Sequence, residues 1–379
     1  MKRISTILII ALLLLASCSP KNNDQEEVVQ ENENKEQQTS IVPSYQLTDE
    51  TYRIILPFQT SEARGVITNQ MGNRVDIDEL EEGLMRQSKE IFDPSELFYQ
   101  EGQYFNNESL FSLIDELNPK VNEDKIKGLK DEEKAEVYKR NPRYLTHILE
   151  QNYMKRNEKE NTVELAGVSI GIALKSVYRF QTEVGGPYQY KKIPMKDMIE
   201  KGQEVAQKVV DELKGMENFP DVPIMIALFR EAEIDSPVPG NFVSKTVVPA
   251  GQNKIDKWDK INEKNVLFPS EEAKKDYTDD NEIINSFGNE ISQFFPNYVG
   301  YIGKGFYIND DLQKLTIEIP LEFYGKGEII GFTQYAYGLI QDMFPKNYDL
   351  EVQVTSSAGA ESLIYREAGK EKPEFHIYN

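Results

Sequence analysis

One cysteine stands in 379 residues, and its neighbours fix the chemistry open to it. Leu15-Ala16-Ser17-Cys18 is a branched residue, two small residues and a thiol, the order of a bacterial lipobox. In such a box the thiol becomes a thioether to a diacylglyceryl group before a signal peptidase cuts, here between Ser17 and Cys18. Lys2 and Arg3 supply a positive start, and Ile4 to Ala16 is uncharged and mostly apolar. That is the layout of a secretory signal; a spanning helix needs about 20 apolar residues. Two or more acyl chains, at about 0.8 kcal/mol per buried methylene, hold a protein on a bilayer durably. The stretch therefore predicts a membrane partner through diacylglyceryl-Cys18, processing by lipoprotein enzymes, and a location on the outer face of the cytoplasmic membrane.

The other constellations are weaker. Gly167-Val168-Ser169-Ile170-Gly171 fits the G-x-S-x-G of a hydrolase nucleophile elbow, and His376 follows it in the usual chain order. An elbow needs a sharp turn at the serine, whereas strand-like alternation runs straight through Ser169 to Leu174. The pattern reads as a strand whose small face admits a close neighbour. An envelope hydrolase using Ser169, or a carboxylate pair among the 64 acids, is the alternative. Gly300 to Gly305 reads as a turn between strand ends. Acidic pairs such as Glu81-Glu82 and Asp279-Asp280 read as helix-start residues that complement the dipole. Phe98 to Phe105 alternates aromatic and polar side chains; Tyr99, Gln100, Glu101, Gln103 and Tyr104 form a candidate surface for a peptide or glycan of the envelope. Ordinary half-buried strand packing is the competing account.

Absences narrow the chemistry further. With Cys18 consumed by lipid, no disulfide or thiol nucleophile remains, and His147 and His376 are the only histidines, so neither a metal site nor a cofactor is expected. The formal charge is −21, and loss of Lys2 and Arg3 with the leader makes the body more acidic still. Such a surface repels nucleic acid and anionic headgroups.

The elements that must carry these residues read as follows. Residues 1–17 are the signal peptide, and 18–45 a polar, acidic tether expected to be disordered. Helical spacing places helices on Leu80, Leu84 and Ser88, on Leu110, Ile114 and Leu117, and on Leu145, Ile148, Leu149 and Tyr153. Val168, Ile170, Ile172 and Leu174 mark a strand, followed by a helix over about 198–214 and a strand over Pro223 to Phe229. Leu315 to Phe323, a helix over about 328–343 and Leu350 to Thr355 repeat that order; Pro320 predicts an edge strand or a bulge. Lys201-Gly202 and Phe219-Pro220 bracket the first helix as Lys326-Gly327 and Phe344-Pro345 bracket the second, so two copies are inferred, 46–235 with an insertion at about 175–197, and 236–379. Asp235 to Gly240 would be the join. The fold class is α+β: two related strand–helix–strand repeats with antiparallel or mixed sheets in a pseudo-symmetric body.

Several of these segments together resemble the CamS sex-pheromone lipoprotein family of low-GC Gram-positive bacteria. The resemblance rests on Gly83 to Ser88, Phe98 to Tyr104, Tyr144 to Gln151 and Pro239 to Phe242. In the second half it rests on Phe295-Pro296-Asn297, Phe323 to Glu328 and Gly331 to Tyr335. It implies two related repeats, no established enzymatic activity, and a signal coded in the discarded leader, which is trimmed to a short apolar conjugation pheromone. The corresponding piece is Ala11-Leu12-Leu13-Leu14-Leu15-Ala16-Ser17. It keeps the family's leading alanine and Leu-Ala-Ser ending, while Leu12 and Leu13 replace the isoleucine and phenylalanine of the active peptide.

Overall fold

The computed structural model describes residues 25–31, 37–43, 46–48, 51–323 and 325–378. The lipobox, with Ala11 to Ser17 and Cys18, lies outside them. The tether expectation for 18–45 is corrected in part. β1 (Gln25–Glu31) and β2 (Gln37–Pro43) form an antiparallel hairpin whose Val29 meets Thr162 of the main sheet. Val28 and Val42 are buried against Ile55, Phe98 and Met154, so a few apolar residues in a polar segment suffice to dock it.

The first half continues with β3 (Arg53–Ile54), α1 (Val66–Gln70), α2 (Arg74–Ser88), β4 (Phe98–Glu101), α3 (Asn107–Leu117), α4 (Glu123–Ile126) and α5 (Asp131–Arg140). There follow β5 (Leu145–Asn157), β6 (Thr162–Leu174), the hairpin β7 (Val177–Phe180) and β8 (Gln189–Lys192), α6 (Met195–Gly215), β9 (Ile224–Arg230), β10 (Asn241–Val248) and β11 (Asp259–Lys260). The second half holds β12 (Glu263–Phe268), α7 (Glu271–Asp276), α8 (Thr278–Phe294), β13 (Ile302–Ile308), β14 (Asp311–Pro320), α9 (Lys326–Met343), β15 (Asp349–Ser356), β16 (Gly359–Arg366) and β17 (Glu374–Ile377).

The architecture is mixed α+β, as expected. The first sheet runs β11-β10-β9-β6-β5-β4-β3 and the second β12-β13-β14-β15-β16-β17. In each, a long helix, α6 or α9, bridges a parallel pair (β6 with β9, β14 with β15) whose flanking pairs are antiparallel, and the first sheet adds the parallel pairs β3 with β4 and β1 with β6. A parallel pair needs such a crossover, and a buried helix supplies it.

Three expectations shift. Leu145 to Tyr153 is a strand: β5 is central and dry on both faces, so apolar residues occur at both parities and imitate helical spacing. The boundary at 235 moves. β10 and β11 stay in the first sheet, and Asp235 to Gly240 is the loop between β9 and β10, held by the Asp76 carboxylate accepting from Gly240 N (2.7 Å) and Ala232 N (3.2 Å). Pro320 sits in a central strand but as its last residue, where a missing donor costs nothing. The insertion at 175–197 contains the β7–β8 hairpin.

α2 and α6 clad opposite faces of the first sheet. Leu80 and Leu84 lie with Tyr153, Ala173 and Phe229, while Val205, Val209 and Leu213 lie with Ile170, Ile172 and Ile226. The small face of β6 makes the α2 side possible: a Cβ on Gly167 would stand 2.0 Å from Phe92 Cε1. In the second sheet Ile317, Ile319, Val352 and Val354 pack under Ile284, Phe287, Phe332 and Ala336.

Candidate functional site

The five residues singled out on the aromatic segment do not form one surface. β4 pairs antiparallel with β5, and alternation sends Tyr99 and Glu101 toward α2 while Phe98 faces the β1–β2 hairpin. Gln100 is buried, its Nε2 donating to Gln59 Oε1 at 2.6 Å. Gln103 Nε2 donates to the Glu101 carbonyl at 3.2 Å, and the Tyr104 ring packs edge-on against Phe219 with centroids 4.8 Å apart. What the segment does supply is one wall of a small cavity with a mixed polar and apolar lining.

The turn after β4 is built around a buried carboxylate. Glu150 of β5 accepts from three successive amides, Gln103 N at 2.9 Å, Tyr104 N at 3.1 Å and Phe105 N at 3.0 Å. Burial raises its carboxyl pKa, and those donors oppose the rise. Gly102 must be glycine because a Cβ there would stand 2.5 Å from Glu150 Cβ.

Beside this turn lies a cavity of about 50 Å³ whose lining mixes the polar Ser61, Arg64, Glu81, Tyr99, Glu101, His147 and Glu150 with apolar side chains that include Ile67, Phe105, Leu110 and Leu149. Glu101 Oε2 accepts from Ser61 N at 2.7 Å, and its Oε1 lies 3.4 Å from Arg64 Nε. Arg64 itself is 60 % exposed, so this ion pair is a loose one. Glu81 projects from the middle of α2, not from a helix start as its acidic neighbour suggested. Burial raises the Glu81 pKa, Glu101 adds to the rise, and Arg64 opposes it. His147 is 2 % exposed, and burial alone pushes it down to about 3, so its imidazole is neutral. Its Nδ1 has no hydrogen-bond partner among the described residues. Sequence reasoning missed Ser61, Arg64 and Glu81 as site residues because no spacing joins them; a sheet and a helix bring them together.

The hydrolase alternative loses its nucleophile. Ser169 is fully buried beneath α2, and its Oγ lies 2.6 Å from Ser88 Oγ. His376 sits on β17 in the other sheet. A serine without access to substrate cannot attack one. Among the described residues no group of three or more His, Cys, Asp or Glu is placed to hold a metal ion. No described helix is long and apolar enough to cross a membrane.

A second polar cluster joins the halves. Arg86 of α2 reaches Glu263 of β12 through Nε and Nη2, each at 3.1 Å, and Glu79 Oε1 through Nη2 at 2.6 Å. Gln87 Nε2 donates to Glu263 Oε1 at 2.6 Å, and the guanidinium lies over the Phe306 ring, 4.5 Å from its centroid. Burial opposes the Arg86 charge, but Glu79 and Glu263 outweigh it and hold the group above its usual range.

Comparison with known proteins adds identity to this geometry. The model of the CamS sex pheromone cAM373 precursor family matches residues 58–372. A crystal structure of a sex pheromone precursor from Lactobacillus salivarius subsp. salivarius UCC118 is 30 % identical, with a TM-score of 0.79 over 88 % of this chain and 98 % of that one. The C-terminal domain of the sex pheromone staph-cAM373 precursor from Staphylococcus aureus is 25 % identical, with a TM-score of 0.67 over 83 % of this chain and 99 % of that one. None of the curated proteins matches.

Proposed function

Because this chain belongs to the CamS sex pheromone cAM373 precursor family, we propose that it is a lipid-anchored precursor whose two products part at the Ser17–Cys18 bond. Cys18 keeps the diacylglyceryl group and tethers the body to the outer face of the cytoplasmic membrane. The leader is trimmed to Ala11–Ser17 and leaves as a pheromone-like peptide. The body is a non-enzymatic binding module of the envelope. Leu15-Ala16-Ser17-Cys18, set behind a short charged start and an apolar run, carries this reading. The buried Ser169 and a cavity of about 50 Å³ support binding over catalysis, since neither offers a nucleophile to a polymer.

The test pairs two measurements on cells expressing the full chain. Palmitate labelling should mark the wild type and vanish in Cys18→Ala. Mass spectrometry of the culture supernatant should find the Ala11–Ser17 peptide. An unlabelled wild type removes the anchor, and label without the peptide removes the message alone.

A further inference from the structure

We propose that the cavity beside β4 receives a primary ammonium group, presented by a partner as a lysine side chain or a free peptide N-terminus. The inference deepens the reading of the body as a binding module and rests on it. Its chemistry follows from the walls. Glu81 and Arg64 stand exposed at the mouth, while His147 and Glu150 are buried at the floor. Glu150 is already committed to three backbone donors. Glu101 has one oxygen on Ser61 N and the other on a loosely held Arg64, and no hydrogen bond among the described residues engages the Glu81 carboxylate. His147 is neutral and buried, with a ring nitrogen lacking any partner among the described residues.

Two carboxylates, Glu81 and Glu101, therefore meet too few donors, and the neutral His147 ring in the same lining brings no charge to pair with them. An anion would meet Glu81 and Glu101, and no set of ligands for a bare metal ion converges among the described residues. An ammonium brings three donors and one positive charge. Size agrees as well: a water needs about 10–15 Å³ of such space, so the cavity, at about 50 Å³, admits an ammonium head and its first carbon but no ring. Arg64 holds Glu101 from outside, and the guest replaces it there.

The chain from Ser19 to Asn379, which keeps the docked β1–β2 hairpin, carries the test. Amide spectra are titrated with methylammonium, with N-acetyl-lysine methylamide, and with a glycine peptide bearing a free N-terminus. Tetramethylammonium, which has no donor, is the control. Methylammonium should shift the amides of Ser61, Glu101 and Gln103, and tetramethylammonium should not. The lysine and N-terminal probes reveal which source the mouth accepts. Losing one carboxylate in Glu101→Gln should weaken methylammonium about tenfold, the size of one charge-assisted hydrogen bond, while its amide oxygen still accepts from Ser61 N. Arg64→Gln removes the competing cation and should tighten binding about threefold. Opposite signs from two neighbouring variants exclude a general loss of folding. Absence of methylammonium shifts, or equal binding by both variants and the wild type, overturns the inference. Sedimentation of the body with purified cell-wall sacculi reports separately on the binding module: retention unchanged in Glu101→Gln leaves that reading standing while this one fails.

Discussion

Six strands of the first sheet, β4-β5-β6-β9-β10-β11, match the order and sense of the six in the second, yet the two sheets solve burial differently. The first is clad on both faces, by α6 and by α2, and β9 accordingly reads as an almost unbroken apolar run, Ile224-Met225-Ile226-Ala227-Leu228-Phe229. The second is covered on one face only. β14 and β15 alternate, and their other face carries the half-exposed pairs Lys304 with Glu318 and Lys314 with Glu351. Buried acids and histidine are concentrated in the first half. Asp76, His147 and Glu150 are buried there, whereas the buried polar groups of the second, apart from Glu263 at the junction, are the cation Arg366 and the neutral Asn281, Thr333 and Ser362. A doubly covered sheet has dry space beside it in which to hold unusual side chains, and the cavity lined by Glu81, Glu101 and His147 lies there.

Acid should break this comparison most strongly. The folded-state pKa of His147, about 3, lies below its ordinary value, so the unfolded chain takes the proton first. The stability it contributes is present above about pH 6.5 and is lost at about 1.4 kcal/mol per unit as pH falls toward its folded value. Glu150 and Glu231 are raised by burial and act oppositely, contributing below their ordinary range and losing that contribution as pH rises through the folded values. Hydrogen exchange at pH 7 and pH 4 should show the first sheet opening before the second, and His147→Gln should flatten that acid limb. Equal loosening of both sheets would refute the division.

Cutting the junction comes next. Arg86→Leu leaves Glu79 and the buried Glu263 without their cation and should cost about 3 kcal/mol. Calorimetry should then show two melting transitions, one for each sheet, where the wild type should show one. Gly167→Ala drives a methyl into Phe92 and should cost about 2 kcal/mol by overpacking, read from urea midpoints. Thr316→Ala, on the open face of the second sheet, should by contrast stay within about 0.5 kcal/mol. Smallest of all, Lys304→Ala removes a half-exposed ion pair and should shift stability by less than about 0.5 kcal/mol, less again in high salt.

Much of the fold was legible because its signals are local. Asn106 marks the start of α3 by accepting from Ser109 N at 2.9 Å, and Asn118-Pro119 marks its end. The helices α6, α8 and α9 show their apolar stripes, and Gly167, Ser169, Gly171 and Ala173 announce a strand with a close neighbour, here α2 and Phe92. β5 was not legible, since a strand buried on both faces loses the period that distinguishes it from a helix. The cavity was legible only at Tyr99 and Glu101. Arg64, Glu81 and His147 come from a loop, a helix and a strand, and long-range pairing alone decides their meeting.

By itself the sequence determined the excess of acid, the single cysteine and the order of most elements, because each is a property of composition or of neighbours along the chain, and the proposed address at Leu15-Ala16-Ser17-Cys18 rests on the same kind of local pattern. The tertiary structure decided which sheet is dry on both sides, that Ser169 is packed away, that β10 belongs with the first half, and that His147, Glu81 and Glu101 share the lining of one cavity. These depend on which distant segments exclude water from one another, and no local pattern encodes that.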